Sequence, residues 1–199
     1  MIRTALLAAA LAAAPVTAAP LDDVAAALRA TTTMTADFTQ TAGNGTVSTG
    51  KLTLARPGRI RFSYDKLPLL VVADGKRLVF VDYAVSQVSE WPIGSTPLGI
   101  LLDPNPDLVR IAQVTGTVNG APQVTARDPK HPEYGVLSLA FSRDAAAPGG
   151  LALTGWTATD AQNNVTEIRL INPRYNVKVA SSSFGFRDPR IKQLPGKTF

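Results

Sequence analysis

The stretch LTLARPGRIRFSYD (residues 52–65) alternates apolar and polar side chains with a period of two on both sides of one interruption. Successive side chains of a β-strand point to opposite faces, so the alternation predicts two half-buried strands. The interruption, Arg56-Pro57-Gly58, predicts a three-residue hairpin loop with glycine where the backbone is left-handed. This loop makes the apolar faces of the two strands coincide and places Arg56 at their rim. The predicted pairs are Leu54 with Ile60, Leu52 with Phe62, and Gly50 with Tyr64.

The next segment, LPLLVVADGKRLVFVD (residues 67–82), predicts a second hairpin in which Asp74-Gly75 forms a two-residue turn. Both faces of this hairpin are apolar. An antiparallel sheet needs two apolar faces only when each is covered or when one of them lines a cavity. The first face carries Leu69, Val71, Leu78 and Phe80, and the second carries Leu70, Val72 and Val79.

Two short helices are predicted. Thr96 followed by Pro97 indicates a helix at residues 97–102, because threonine caps helices and proline is tolerated at the first helical position. Leucine and isoleucine leave this helix almost without a polar face, so we expect it to lie on another apolar surface. An earlier amphipathic helix is indicated by apolar residues at helical spacing, namely Leu21, Val24, Ala25 and Leu28.

The carboxyl-terminal half predicts further strands, separated by turns at Asn119-Gly120, Pro148-Gly149-Gly150 and Gln162-Asn163-Asn164. We expect the segment NVKVASSSFGF (residues 176–186) to be another strand. The whole pattern predicts one β-rich domain with two or three small helices.

Residues 1–18 have the features of a secretory signal peptide: a cation at Arg3, an apolar run too short to span a bilayer, and small residues before the cleavage site. We expect cleavage after Ala18 rather than after Ala19, a single exported domain at residues 19–199, and a soluble periplasmic product. The chain has no cysteine. Thiol catalysis, disulfides and attachment of a lipid to an amino-terminal cysteine are therefore excluded.

Neither the distribution of charge nor the residues that could act in catalysis or metal binding indicate an enzyme or a nucleic-acid-binding protein. Loss of Arg3 lowers the formal charge from +5 to +4, and the remaining cations are spread along the chain rather than clustered with aromatic residues. His131 lies between prolines in a predicted loop, and Asp103 and Asp107 fit turn and cap positions. We expect no catalytic residue, metal or cofactor. A basic surface would attract anionic headgroups or acidic partners.

Periodicity leaves open whether the apolar faces form a packed core or a lipid-accepting cavity. Five segments, however, resemble in order the LolA family of periplasmic carriers for outer-membrane lipoproteins. They are MTADFTQT, GKLTLARPGRIRFSYD, LLVVADGKRLVFVD, STPLGILL and GWTATDAQNNVTEIRL. The resemblance implies a curved antiparallel sheet, forming an incomplete β-barrel with a lid of short helices over an apolar cavity. It also implies a carrier that takes acylated lipoproteins from an inner-membrane ABC transporter complex to an outer-membrane acceptor. We expect a monomer.

The family's key arginine precedes a proline at the end of an early strand, which matches Arg56 before Pro57. The resemblance implies that Arg56 is a latch that holds the empty carrier closed. The alternation places Arg59 and Arg61 on the opposite strand face, so we expect them to have no such role. The shared face of the two hairpins and the short helix predict the cavity lining. Its residues are Leu52, Leu54, Ile60, Phe62, Tyr64, Leu69, Val71, Leu78, Phe80, Leu98 and Leu101.

Two other functions stay open. One is a periplasmic sensor domain that binds lipid or glycolipid for an envelope regulator, and the other is an enzyme of envelope metabolism with an unrecognised site. A regulator of this kind usually carries a second domain, whereas the chain ends soon after its last predicted strands, which favours the carrier.

Overall fold

The computed structural model describes residues 20–190, so the predicted signal peptide lies outside the described residues. Within them, one antiparallel sheet contains all the strands, in the spatial order β6-β5-β4-β3-β2-β1-β11-β10-β9-β8-β7. The edge strands β6 and β7 do not pair with each other, so the sheet is open. The strands are β1 Thr33–Ala42, β2 Val47–Ala55, β3 Arg59–Tyr64, β4 Leu69–Asp74, β5 Arg77–Asp82, β6 Gln87–Pro92, β7 Ala112–Val118, β8 Ala121–Ala126, β9 Val136–Arg143, β10 Leu151–Thr159 and β11 Val165–Tyr175.

Three α-helices accompany the sheet: α1 Pro20–Ala30, α2 Pro97–Leu102 and α3 Leu108–Ile111. Short 3₁₀ helices lie at Ile93–Ser95, Pro132–Tyr134, Pro148–Gly150 and Ser181–Phe184. No helix within residues 20–190 is long and apolar enough to cross a membrane.

The predicted register of the first hairpin is confirmed. Leu54 pairs with Ile60, Leu52 with Phe62, and Gly50 with Tyr64 across β2 and β3. In the second hairpin the faces are as predicted, but the turn is one residue later: Ala73 pairs with Leu78, and the two loop residues are Gly75 and Lys76. The reason is that the Asp74 carboxylate accepts hydrogen bonds from the backbone N–H groups of Lys76 and Arg77, which places aspartate before the loop.

The sheet is strongly curled. Phe62 on β3 and Trp156 on β10 are separated by three intervening strands, a span of about 19 Å along a flat sheet with strands about 4.8 Å apart. Their ring centroids nevertheless lie only 6.1 Å apart. The face that carries both rings is therefore concave, and the sheet forms an incomplete barrel, as predicted.

Helices α1 and α2 pack on this concave face. Val24 and Leu28 of α1 and Leu101 and Leu102 of α2 are buried in one apolar cluster with residues of the sheet. The bounds predicted for α2 are confirmed, but the predicted cap is wrong. The Thr96 hydroxyl donates its hydrogen bond to the carbonyl of Ile93 (2.8 Å), at the start of the preceding 3₁₀ helix, and does not cap α2.

The predicted strand at residues 176–186 is wrong. Strand β11 ends at Tyr175, and Asn176 has a left-handed backbone with φ of 52°. Its N–H donates to the carbonyl of Thr33 (2.8 Å), and its side-chain oxygen accepts from the N–H of Thr32 (2.9 Å). The left-handed backbone at Asn176 turns the chain out of the sheet, and the side-chain bond to Thr32 fixes this turn beside the start of β1.

The segment that follows, residues 177–186, covers the convex face of the second hairpin, and we call it the strap. Phe184, which is 5% exposed, packs there with Val179, Leu70, Val72 and Val81. Both apolar faces of the hairpin are therefore accounted for, one by the concave core and the other by the strap.

Arg59 and Arg61 hold the strap in place. Arg61 Nη1 donates to the carbonyls of Ser183 (3.3 Å) and Gly185 (2.9 Å), and the Arg59 guanidinium lies 5.2 Å from the centre of the Phe184 ring. Arg59 and Arg61 were predicted to have no role in the latch. They contribute instead to the structure on the other face of the sheet, where they hold the strap.

Candidate functional site: a clamped helical lid and an apolar cleft

Arg56 lies at the start of the first hairpin loop, and its guanidinium contacts the ends of both α1 and α2. Nε and Nη2 donate to the carbonyl of Leu101, at 3.1 and 2.8 Å. Nη1 donates to the carbonyl of Thr31 (2.5 Å) and to that of Leu28. A single side chain thus joins two helices that are far apart in the sequence. We call α1 and α2 the lid.

The choice of arginine follows from the groups that it meets. The last carbonyls of a helix have no partner within the helix, and the helix dipole makes that end negative. Leu28 and Leu101 lie in the last turns of α1 and α2. The planar guanidinium offers several donors to these carbonyls at once. Burial lowers the pKa of Arg56 to about 10, against the attraction of Asp103, so the side chain remains charged at neutral pH.

The backbone of the same loop adds to this clamp. The N–H of Gly58 donates to the carbonyl of Leu102 (3.1 Å), and the N–H of Arg56 donates to the carbonyl of Thr32 (2.8 Å). Gly58 has φ of +72°, and a Cβ there would lie 2.7 Å from the Cα of Gly75. Only glycine lets the loop approach the second hairpin this closely.

An apolar cleft of about 190 Å³ lies between α2 and the concave face. Five of the predicted cavity residues line it: Phe62, Tyr64, Val71, Leu78 and Leu98. Four others, Leu52, Leu54, Ile60 and Leu101, are buried in the packed cluster between the lid and the sheet. The remaining two, Leu69 and Phe80, are half-buried on the strands that carry Val71 and Leu78, outside the lining of the cleft. The predicted set thus comprises five residues of the cleft, four of the packed core and two outside both.

Two aromatic residues of the site were not predicted. Trp156 lines the cleft, and Phe38 packs edge-to-face on Phe62 and Tyr64, with centroids 5.3 and 5.4 Å apart. The segment MTADFTQT contained a signal for Phe38, since Met34, Ala36, Phe38 and Gln40 alternate on one face. No local pattern could have placed Trp156 here, because its contact with Phe62 depends on the curl of the sheet.

Gly50 makes room for this aromatic cluster, and Gly50→Ala should destabilise the protein by about 1 to 3 kcal/mol. A Cβ at Gly50 would lie 2.2 Å from the carbonyl oxygen of Ser63 and 2.8 Å from the Phe38 ring. Urea denaturation measures the loss. Gly116→Ala is the matched control, because a Cβ there meets nothing within 4 Å. Equal stability of the two variants would contradict this account of Gly50.

A second groove, of about 340 Å³, lies on the other side of α2. It is larger, but its lining includes the ion pair between Arg110 and Asp128 (2.9 Å) and the carboxylate of Asp103. Burying an apolar chain against these charged groups would remove them from water at a cost. The apolar cleft is therefore the better site for an apolar ligand.

No group of three or more His, Cys, Asp or Glu side chains within residues 20–190 could hold a metal ion. His131 lies on a surface loop, where its ring stacks on Tyr134 with centroids 4.6 Å apart and Nδ1 lies 3.1 Å from the Glu133 carboxylate. Asp107 caps α3 by accepting a hydrogen bond from the N–H of Arg110, as its predicted cap position requires.

The curled open sheet, the apolar cleft and the clamped lid together define a class of one-sheet proteins with a partly closed apolar site. The model of the family described as outer membrane lipoprotein carrier protein LolA matches residues 29–187. The chain belongs to this family, as the resemblance of its segments predicted.

Two curated relatives are both named outer-membrane lipoprotein carrier protein. The one from Chromobacterium violaceum is 28% identical, over 96% of this chain and 93% of its own length. The one from Legionella pneumophila strain Paris is 30% identical, over 82% of this chain and 83% of its own length. Among solved structures, a LolA superfamily protein from Nitrosomonas europaea aligns with a TM-score of 0.45 at 8% identity, covering 85% of this chain and 99% of that one.

Proposed function

We propose that this protein binds the acyl chains of lipoproteins in its apolar cleft and carries them through the periplasm from the inner to the outer membrane. Membership of the LolA family and the names of the two relatives support lipoprotein cargo. The observation that carries the proposal is the apolar cleft beside α2. Arg56 holds this helix against the sheet through its hydrogen bonds to the carbonyl of Leu101. A carrier needs a site that hides acyl chains from water and can also be emptied.

Arg56 acts in this proposal as a latch. A hydrogen bond from a charged donor contributes about 1.5 to 3 kcal/mol, so the bonds to Leu28, Thr31 and Leu101 stabilise the closed, empty state. Entry of acyl chains displaces the lid and breaks some of these bonds. The latch thereby opposes loading and assists release, because a ligand shifts the equilibrium only through its different affinities for the two states.

The proposal includes the route as well as the cargo. The protein is exported by its signal peptide, acts as a monomer, receives lipoproteins from an inner-membrane ABC transporter complex and passes them to an outer-membrane acceptor. It performs no catalysis, which agrees with its membership of a carrier family. Among these steps, only the binding of acyl chains has a site within residues 20–190, namely the cleft.

Purification of the protein from its own periplasm, followed by mass spectrometry of the bound molecules, tests the function directly. We expect peptides that begin with an acylated residue. Isolation of a glycolipid or phospholipid alone would favour the lipid-sensing alternative. In a control preparation Ala158→Phe fills the cleft and should retain much less bound molecule than the wild type, because acyl chains no longer fit fully beside that side chain.

A further inference from the structure

One polar pair lies in the wall of the otherwise apolar cleft. The Tyr64 hydroxyl donates a hydrogen bond to Oε1 of Gln40 (2.7 Å), and both side chains line the cleft with Phe62, Val71 and Leu98. Both residues are half-buried and come from different strands, β3 and β1. Polar groups in an apolar site commonly orient a ligand.

The pair has more donors than its own hydrogen bond uses. A glutamine amide supplies two N–H groups and tyrosine supplies one O–H, which makes three donors. The bond between the two side chains uses one of them, whichever way the amide is oriented, so two remain for another molecule. A ligand that offers an acceptor without a donor is therefore the complementary partner.

We propose that Gln40 and Tyr64 bind the ester or amide carbonyl through which an acyl chain is attached, and so select acyl chains over plain alkyl chains. This inference rests on the proposed function and specifies which part of the cargo the cleft recognises. A carbonyl oxygen accepts two hydrogen bonds and donates none, which matches the free donors. An alkyl ether lacks the carbonyl oxygen, and its single ether oxygen is a weaker acceptor at a different position on the chain, so it satisfies the two donors less well.

The surroundings give the bound chain a direction. Phe62 and Trp156, each 3% exposed, form the deep end of the cleft, while Asp160 and Asn164 lie at its opening, in the turn between β10 and β11. With the carbonyl at Gln40 and Tyr64, the hydrocarbon extends toward the two buried rings. The attached headgroup then lies toward the polar opening.

Two other polar side chains in the cleft, Thr96 and Asp160, are already engaged. The Thr96 hydroxyl donates to the carbonyl of Ile93 (2.8 Å). The Asp160 carboxylate accepts from the N–H groups of Gln162 and Asn164, both at 2.9 Å. Burial raises the pKa of Tyr64 to about 12, although its hydrogen bond to Gln40 acts in the opposite direction, so this phenol remains a donor at neutral pH.

Calorimetric titration with two soluble probes tests the inference: 1-decanoylglycerol, which has an ester carbonyl, and 1-O-decylglycerol, its ether counterpart. The ratio of their affinities is measured for the wild type, for Tyr64→Phe, for Gln40→Met and for the double variant. Because the double variant lacks both polar side chains, its ratio shows how much of the preference comes from hydrophobic partition alone. We expect the preference of the wild type for the ester to exceed that of the double variant by about three- to tenfold. Thr166→Val, which removes another hydroxyl from the cleft, should keep the wild-type ratio.

Each outcome has a defined meaning. The same ratio in the wild type and the double variant, which removes every donor of the pair, overturns the inference, while binding of both probes leaves the proposed function intact. Loss of the preference in Thr166→Val overturns it as well, since the carbonyl would then lie elsewhere. Failure of the wild type to bind either probe overturns both the proposed function and this inference.

Discussion

Arg56→Leu should bind a triacylated lipopeptide about 10- to 100-fold more tightly than the wild type and release it correspondingly slowly. The variant loses the charged hydrogen bonds to Leu28, Thr31 and Leu101, worth about 1.5 to 3 kcal/mol each, so opening the lid no longer breaks them. One such bond corresponds to a 10- to 100-fold change, since about 1.4 kcal/mol is tenfold in affinity. Equilibrium binding and transfer of the loaded lipopeptide to outer-membrane vesicles measure the two effects.

The control for this experiment is Arg29→Leu. Arg29 is exposed in the last turn of α1, so its replacement removes the same charge near the same helix without touching the clamp. Arg59 and Arg61 are unsuitable controls, because they contact the strap through Phe184, Ser183 and Gly185. Normal release by Arg56→Leu would leave Arg56 as a residue that only stabilises the folded loop.

Ala158→Phe should abolish most lipid uptake while the protein stays folded. Ala158 is half-buried on β10 and lines the cleft, so a benzyl group has space there that it would not have in the packed core. Excluding two or more methylene groups of an acyl chain, at about 0.8 kcal/mol each, lowers affinity by about tenfold or more. Lipopeptide binding and urea denaturation are measured on the same sample, and we expect the free energy of unfolding to change by less than about 1 kcal/mol.

Ala84→Phe is the matched control, because Ala84 is exposed in the turn between β5 and β6 and the same side chain there meets no cleft. This variant should bind lipopeptide as the wild type does. If Ala158→Phe lost binding and stability in equal measure, the space beside Ala158 would be part of a solid core and the cleft would not be the acyl site.

Sequence by itself determined the local elements of this protein. The period of two and the Arg56-Pro57-Gly58 loop specified the register of β2 and β3, and Pro97 with the apolar run after it specified α2. Strand alternation and turn chemistry act between residues close in the chain, so a single sequence contains the information. Where two local signals competed, the prediction was wrong. Asp74 lies before the turn and its carboxylate accepts from the N–H of Lys76, and the Thr96 hydroxyl donates to the carbonyl of Ile93 instead of capping α2.

Only the tertiary structure decided how these elements meet. The strap lies across the hairpin because Asn176 turns the chain out of the sheet, and its cover for Leu70 and Val72 comes from residues about a hundred positions away. The hairpin predicted that Arg56 lies at the rim of the apolar face, and the family resemblance implied its role as a latch. Its bonds to Leu28 and Thr31, however, require α1 to lie on the concave face. The cleft itself exists because curling brings β3 to β10. Curling is a property of eleven paired strands with a common twist, and no single strand encodes it.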